Sequence, residues 1–372
     1  MKRVMAPVVA VLAALMMLST NVAGAVADGS FVGPLNHVFT MASTVPRSGD
    51  VNPYGVAVVP RTMGDLVAGH ILVSNFNNKA NLQGTGTTII QVAPSGKISL
   101  FATISTSTIP GNCPGGIGLT TALVSLRSGW VIVGSLPTSN GMSATAKAGC
   151  LLVLNSWGKV VKVIAGAPIN GPWDMTAVDG GANAWLFVSN VLNGTVAASP
   201  HVVHRGTVVR VALGDLRSSM PMVMSETVVA NGLPERTDPA ALVVGPTGLG
   251  VGMDGTAYVA NSVDNEVDAI PNATTRSNPA SLMKVTGGGA INVPLGLVIA
   301  PNGDILTANG GDGNLVESTP DGQQVAVKIL DTLPTPPGPN GGGTLFGVAI
   351  IPGGSGVYFV DDGANTFNRL TR

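Results

Sequence analysis

The stretch from Val293 to Val325 constrains the fold more than any other part of the chain. It holds three short apolar runs separated by turn signals: Pro301-Asn302-Gly303, then Gly310 to Asn314, then Pro320-Asp321-Gly322. Each run is strand-length and rich in Val, Ile, Leu and Thr, and a fourth follows at Gln324 to Leu330. Runs of this kind, punctuated by Asn-Gly and Asp-Gly pairs, read as hairpins. The stretch is therefore one four-stranded meander.

The same pattern recurs along the chain, as expected of a repeat architecture. Each copy opens on Pro-x-Gly or a variant, as at Pro172-Trp173-Asp174 where Asp stands in the Gly place, runs through a strand and a turn, and ends its second strand on Asn, Asp or Ser. The openings fall at Pro53, Pro114, Pro172, Pro246, Pro294 and Leu345. The second strands end at Asn75, Ser135, Asn190, Asn261, Asn309 and Asp361. The count is six, with five or seven as the neighbouring alternatives. The last copy lacks a fourth strand, and the strand-like stretch Asn36 to Met41 precedes the first copy with no strands before it. Pairing the two would close a ring and remove an exposed sheet edge. The longest insertions are Asn77 to Thr87, Pro137 to Gly149, Asn193 to Arg205 and Leu213 to Leu233.

Composition agrees with an all-β reading. Charged residues make up 10% of the chain, with 50 Gly and 26 Pro, whereas an average soluble domain carries about 25% charge. A helical bundle needs more Glu and Lys on its exposed faces. The net charge of −1 gives no electrostatic case for nucleic acid or an anionic membrane.

Lys2 and Arg3, the apolar stretch Val4 to Leu18, and the small-residue sites Ala23-Gly24-Ala25 and Ala25-Val26-Ala27 read as a signal peptide over residues 1–27. Residues 28–372 then form one domain. This implies export to the periplasm or the extracellular space, with no membrane span after cleavage. The two cysteines, Cys113 and Cys150, are expected to pair.

The motifs Asp254-Gly255-Thr256-Ala257-Tyr258-Val259-Ala260-Asn261 and Pro301-Asn302-Gly303-Asp304-Ile305-Leu306-Thr307-Ala308-Asn309 resemble those of the NHL-repeat and SMP-30/gluconolactonase-like six-bladed β-propellers. The resemblance spans essentially the mature chain. It is sharp in copies four and five, fair in one and six, and poor in two and three. It implies a six-bladed propeller of four-stranded blades. It also implies either a binding scaffold or a calcium-dependent lactonase or esterase.

In such a ring, the starts of first strands and the ends of second strands meet at one mouth of the central channel. The expected ligand site is therefore Tyr54, Asn75, Trp173, Asp174, Asn190, Asn261, Asn309, Phe346 and Asp361. Amides would hydrogen-bond a ligand and aromatic rings would stack on it. The competing structural reading is that strand-end Asn residues cap turns.

In the lactonase branch the residue between Pro and Gly supplies metal ligands in some copies. Here that residue is Tyr54, Gly115, Trp173, Thr247, Leu295 or Phe346, none of which is a hard oxygen ligand for calcium. No metal or other cofactor is expected from that motif, although Asp174, Asp361 and Asp362 could supply an unrelated calcium site. His201 and His204 have zinc-like spacing but no third ligand and read as an exposed loop. Ser74 and Ser189 lie in strands without a nearby His. The expectation is a monomeric binding scaffold for a small molecule, glycan or protein at the channel mouth. The alternative is a calcium-dependent lactonase, esterase or lyase. A third reading is an envelope protein that binds partners through its outer faces.

Overall fold

The computed structural model describes residues 29–218, 220–334 and 340–372. The expected signal segment lies outside the described residues. Among them, the chain forms six antiparallel sheets in a ring. The first strand, β1 (His37–Ser43), is set apart from its sequence neighbours. Blade one is β2 (Val51–Val58), β3 (Ile71–Asn77), β4 (Thr88–Val92) and β5 (Ile98–Thr103). Blade two is β6 (Leu119–Ser125), β7 (Val131–Ser135), β8 (Cys150–Leu154) and β9 (Val160–Ala165). Blade three is β10 (Pro172–Asp179), β11 (Ala184–Asn190), β12 (Val203–Gly214) and β13 (Met222–Asp238), extended by β14 (Leu242–Val244). Blade four is β15 (Pro246–Val251), β16 (Ala257–Asn261), β17 (Glu266–Ile270) and β18 (Met283–Gly287). Blade five is β19 (Pro294–Ile299), β20 (Ile305–Asn309), β21 (Asn314–Ser318) and β22 (Gln324–Ile329). Blade six is β23 (Leu345–Ile350), β24 (Gly356–Asp361) and β25 (Thr366–Thr371), completed by β1.

β1 pairs antiparallel with β25, from His37 opposite Thr371 to Ser43 opposite Thr366. Both chain ends therefore close the ring, as the sequence implied. A second clasp lies ahead of it. The Glu317 carboxylate accepts from Ser30 Oγ at 2.6 Å, Phe31 N at 2.7 Å and Val32 N at 2.8 Å.

Each first strand bulges just after the residue paired with the end of its second strand. Pro53 opposes Asn75, Pro172 opposes Asn190, Pro246 opposes Asn261 and Pro294 opposes Asn309. Proline lacks the N–H that a regular ladder requires, so it suits a bulge. Two sequence assignments are corrected here. The second copy opens at Leu119, opposite Ser135, not at Pro114, so its residue equivalent to Tyr54 is Thr120 rather than Gly115. Most of the Leu213 to Leu233 insertion is strand β13.

The core lies in the seams between blades. Leu72 and Ile89 of blade one pack with Leu123 and Leu152 of blade two. Ile132 and Val153 of blade two pack with Leu186 and Val209 of blade three. Side chains of this type contribute roughly 1.5–3 kcal/mol each when fully buried. The Cys113–Cys150 disulfide is present, with Cα atoms 5.4 Å apart. It ties the segment leading into β6 to the start of β8.

Candidate functional site

The inner strands set the geometry of the channel. At the third opening position, four blades carry glycine. A Cβ on Gly296 would lie 2.0 Å from the Phe346 carbonyl oxygen, and one on Gly347 would lie 2.1 Å from that of Tyr54. Only glycine permits the backbones of neighbouring blades to approach this closely. In blades two and three the same position holds Thr121 and Asp174, and the side chain itself bridges the seam. Thr121 Oγ1 donates to the Trp173 carbonyl. Asp174 Oδ2 accepts from Leu249 N at 3.1 Å. Ser74 Oγ donates to Thr120 O at 2.8 Å, Ser189 Oγ to Thr247 O at 2.8 Å and Ser262 Oγ to Pro294 O at 2.6 Å. Strand serines in search of a catalytic role are thus seam hydrogen bonders.

The mouth expected to carry the ligand is closed. Tyr54, Trp173 and Phe346 are buried, together with Phe76. Tyr54 is stacked between Phe76, centroid to centroid 4.4 Å, and Phe346 at 3.9 Å. Trp173 meets Tyr54 edge-on at 5.8 Å and Phe76 at 5.9 Å. The four rings form a plug across the channel. Burial, with the Asp362 carboxyl nearby, pushes the Tyr54 phenol well above its ordinary value, so it stays neutral.

Insertions cover this plug from outside. Leu136, Val191, Leu242 and Val243 pack on it. The loop hydrogen bonds run from insertion to insertion. Gln83 Nε2 donates to Ala240 O at 3.0 Å, Ser143 Oγ to Asp238 O at 3.0 Å, and Asn193 N to Glu235 Oε1 at 2.9 Å. Burial pushes the Glu235 carboxyl up to about 7.

The strand-end amides are brought to one end of the ring, as expected, but they are buried and bonded within the protein. Asn75 Nδ2 donates to Thr44 O at 3.2 Å, and Asn190 Oδ1 accepts from Asn170 N at 3.3 Å. Asn261 Nδ2 donates to Asp268 Oδ2 at 3.1 Å, and Asn309 Nδ2 to Ala290 O at 2.7 Å. Asp361 Oδ1 accepts from Ala364 N at 2.9 Å. Burial, with Asp331 nearby, raises the Asp361 carboxyl. Each of these groups anchors a loop or strand. The physical signal for this lay in the insertions, whose length left them free to fold inward over the mouth.

Of the expected site, Asp174 alone faces open space. It lies at the inner end of a cavity of about 370 Å³ lined by the first strands of all six blades. The walls include Val56, Val58, Leu123, Leu249, Leu297 and Val348, interspersed with the polar Thr121, Ser125, Thr176 and Asp179. The cavity extends toward the hairpin turns of the opposite face. Asp174 is surrounded deeply by protein yet keeps part of its surface in the cavity. Burial pushes its carboxyl up to about 8, against the opposing hydrogen bonds from backbone N–H groups. It is therefore mostly protonated at neutral pH. Asp179, toward the open end, has its carboxylate oxygens on Arg127 N at 2.6 Å and Gly181 N at 2.8 Å.

Calcium takes six to eight oxygen ligands, several from carboxylates. The channel offers one inner carboxyl, and the Thr121 hydroxyl is already donating. Among the described residues no group of three His, Cys, Asp or Glu side chains is placed to hold a metal. The side chains of the channel do not make up a calcium ligand set.

The six-bladed propeller fold is shared with solved structures of low sequence identity. The chain superposes on a gluconolactonase from Xanthomonas campestris with a TM-score of 0.57 and 12% identity, covering 94% of each chain. A luciferin-regenerating enzyme gives 0.57 and 12%, covering 90% of this chain and 95% of that one. Regucalcin from Agrobacterium tumefaciens, described as calcium-binding, gives 0.53 and 13%, covering 88% and 92%. No protein-family model and no curated protein matches the sequence. At this identity the likeness establishes architecture and leaves the chemistry to the site. No helix of the described residues is long and apolar enough to cross a membrane.

Proposed function

We propose that the chain binds a small molecule of mixed polarity in the central channel, entered from the face opposite the insertions. The observation that carries this reading is Asp174, a largely neutral carboxyl at the inner end of a cavity walled by aliphatic side chains interspersed with polar groups. A protonated carboxyl both donates and accepts a hydrogen bond. The matching ligand has a hydroxyl, carbonyl or amine at its leading end and a body that packs on the aliphatic walls. The cavity of about 370 Å³ falls in the usual range for small-molecule sites, roughly 300–1,000 Å³. Export to an oxidising compartment fits the disulfide.

The test is a fluorescence titration with N-phenyl-1-naphthylamine, a neutral apolar amine. Saturation at one site per chain is expected. Ala349→Phe, which fills the channel, should abolish it, and Asp174→Leu should weaken it by about tenfold, the worth of one buried hydrogen bond. Saturable binding untouched by Ala349→Phe would place the site elsewhere and overturn the reading.

A second reading, hydrolysis of a lactone or ester, is favoured by the shared fold with a gluconolactonase and by the raised Asp174. A carboxyl poised near neutral pH suits general acid–base catalysis. Ionised Asp174 would take a proton from water as its oxygen attacks the carbonyl carbon. It would return that proton to the alkoxide as the ring C–O bond breaks. Turnover of a lactone panel, with and without added calcium, checks this. Activity retained by Asp174→Asn would remove Asp174 from the reaction.

A further inference from the structure

A second concave site lies on the open face, outside the channel, and shares none of the channel's lining residues. It is a groove of about 640 Å³ formed by turns of blades one, two and three. Arg61 enters it from the turn after β2, Arg127 from the turn after β6 and Arg217 from the turn after β12. Trp157 forms one wall and is 64% exposed. Its position is held by the turn between β8 and β9. There Asn155 Oδ1 accepts from Trp157 N at 3.1 Å and Lys159 N at 3.0 Å. The floor is apolar, with Met63, Val161 and the edge of Trp130, whose Nε1 donates to Leu216 O at 2.9 Å.

The chain has only 19 Lys and Arg among 372 residues, so three arginines in one groove is a concentration. Among the described residues the ion pairs are Arg236 with Asp238 and Lys284 with Glu266, and none of the three takes part. The neighbouring Asp179 carboxylate is occupied by backbone N–H groups. The groove thus presents guanidinium groups free of carboxylate partners beside an exposed indole face.

We infer that this groove binds an acidic oligosaccharide, with carboxylates on the arginines and a sugar ring stacked on Trp157. Guanidinium forks match carboxylate geometry. An exposed indole offers a flat apolar face to the C–H side of a pyranose ring. A ligand here must combine repeated anionic groups with ring faces, and a uronate oligomer does both. A nucleic acid would call for a longer cationic track along its phosphates than three arginines provide.

The test is calorimetric titration of the full mature protein with a galacturonic acid tetramer in calcium-free, low-salt buffer. Binding is expected, weakened by added salt and absent for the methyl-esterified tetramer. Trp157→Ala should weaken it by at least about tenfold, in line with the loss of a stacked ring. Arg61→Ala, Arg127→Ala and Arg217→Ala should each weaken it several-fold, with Arg127→Lys between wild type and Arg127→Ala. Thermal melts of the variants should match wild type, because these side chains lie at exposed turns. Absence of binding, or binding indifferent to Trp157→Ala and the arginine variants, would overturn the inference. So would tighter binding of a single-stranded oligothymidylate than of the tetramer.

Discussion

Asp174 occupies a place where four other blades have glycine, and its environment makes it the chain's most informative titrating group. Its folded value is about 8 against an ordinary value of 3.8, so the folded state holds its proton more tightly. Stability from this group is full below the ordinary value and declines as pH rises toward about 8, where the loss is complete. Asp174→Asn should flatten stability across that window and leave the variant more stable than wild type at alkaline pH. The gain should be about 1–2 kcal/mol, after allowing for contact with the cavity. Urea denaturation at several pH values checks this; equal slopes for the two proteins would contradict it. Tyr54 is the second residue of consequence. Tyr54→Ala removes the centre of a stack buried on all sides and should cost about 3–5 kcal/mol, measured by the same titration. Asp174 was legible in the sequence as the odd residue in a glycine position. That Tyr54 plugs the channel rather than rimming it was not, because burial of an aromatic ring depends on what the distant insertions do.

At the scale of elements, β1 and the segment before it hold the ring shut. Glu317 is central to that closure. Burial alone would raise its carboxyl, but hydrogen bonds from Ser30, Phe31, Val32 and Asn302 outweigh it and hold it below the usual range. The stability it contributes is therefore present at neutral pH and lost as pH falls through its folded value. Glu317→Ala strips these partners and should destabilise by about 3 kcal/mol. Removal of β1 should do more. It exposes the free edge of β25, and such edges pair with other chains. Size-exclusion chromatography with light scattering should show oligomers or aggregates for a variant beginning after Ser43, and a clean monomer would argue against the role assigned to β1. The pairing of chain ends was readable from a missing strand at one end and a surplus strand at the other. The clasp on Glu317 was not, since nothing local marks an acidic residue of blade five as the partner of residues more than 280 positions earlier.

Across the whole molecule, the two faces of the ring differ. One is sealed by aromatic rings and interlocked insertions, and the other opens on the channel and the arginine groove. The disulfide supports the sealed side by fixing blade two. Reduction should lower stability by up to roughly 4 kcal/mol on chain-entropy grounds, seen as a lower melting temperature in reducing buffer. An unchanged melt would mean that the reduced loop keeps its native contacts.

The repeat of strand lengths, Pro and Gly at blade openings, and Asn at strand ends determined the six-bladed ring and its closure. These are properties of local periodicity and turn chemistry, which neighbouring residues decide among themselves. The assignment of the open mouth was decided only by tertiary structure. The insertions of three blades meet over one face, bury the residues that the repeat had placed there, and leave Asp174 facing the other. Which side of a ring admits a ligand depends on how segments far apart in sequence pack together, and no single stretch of the chain encodes that.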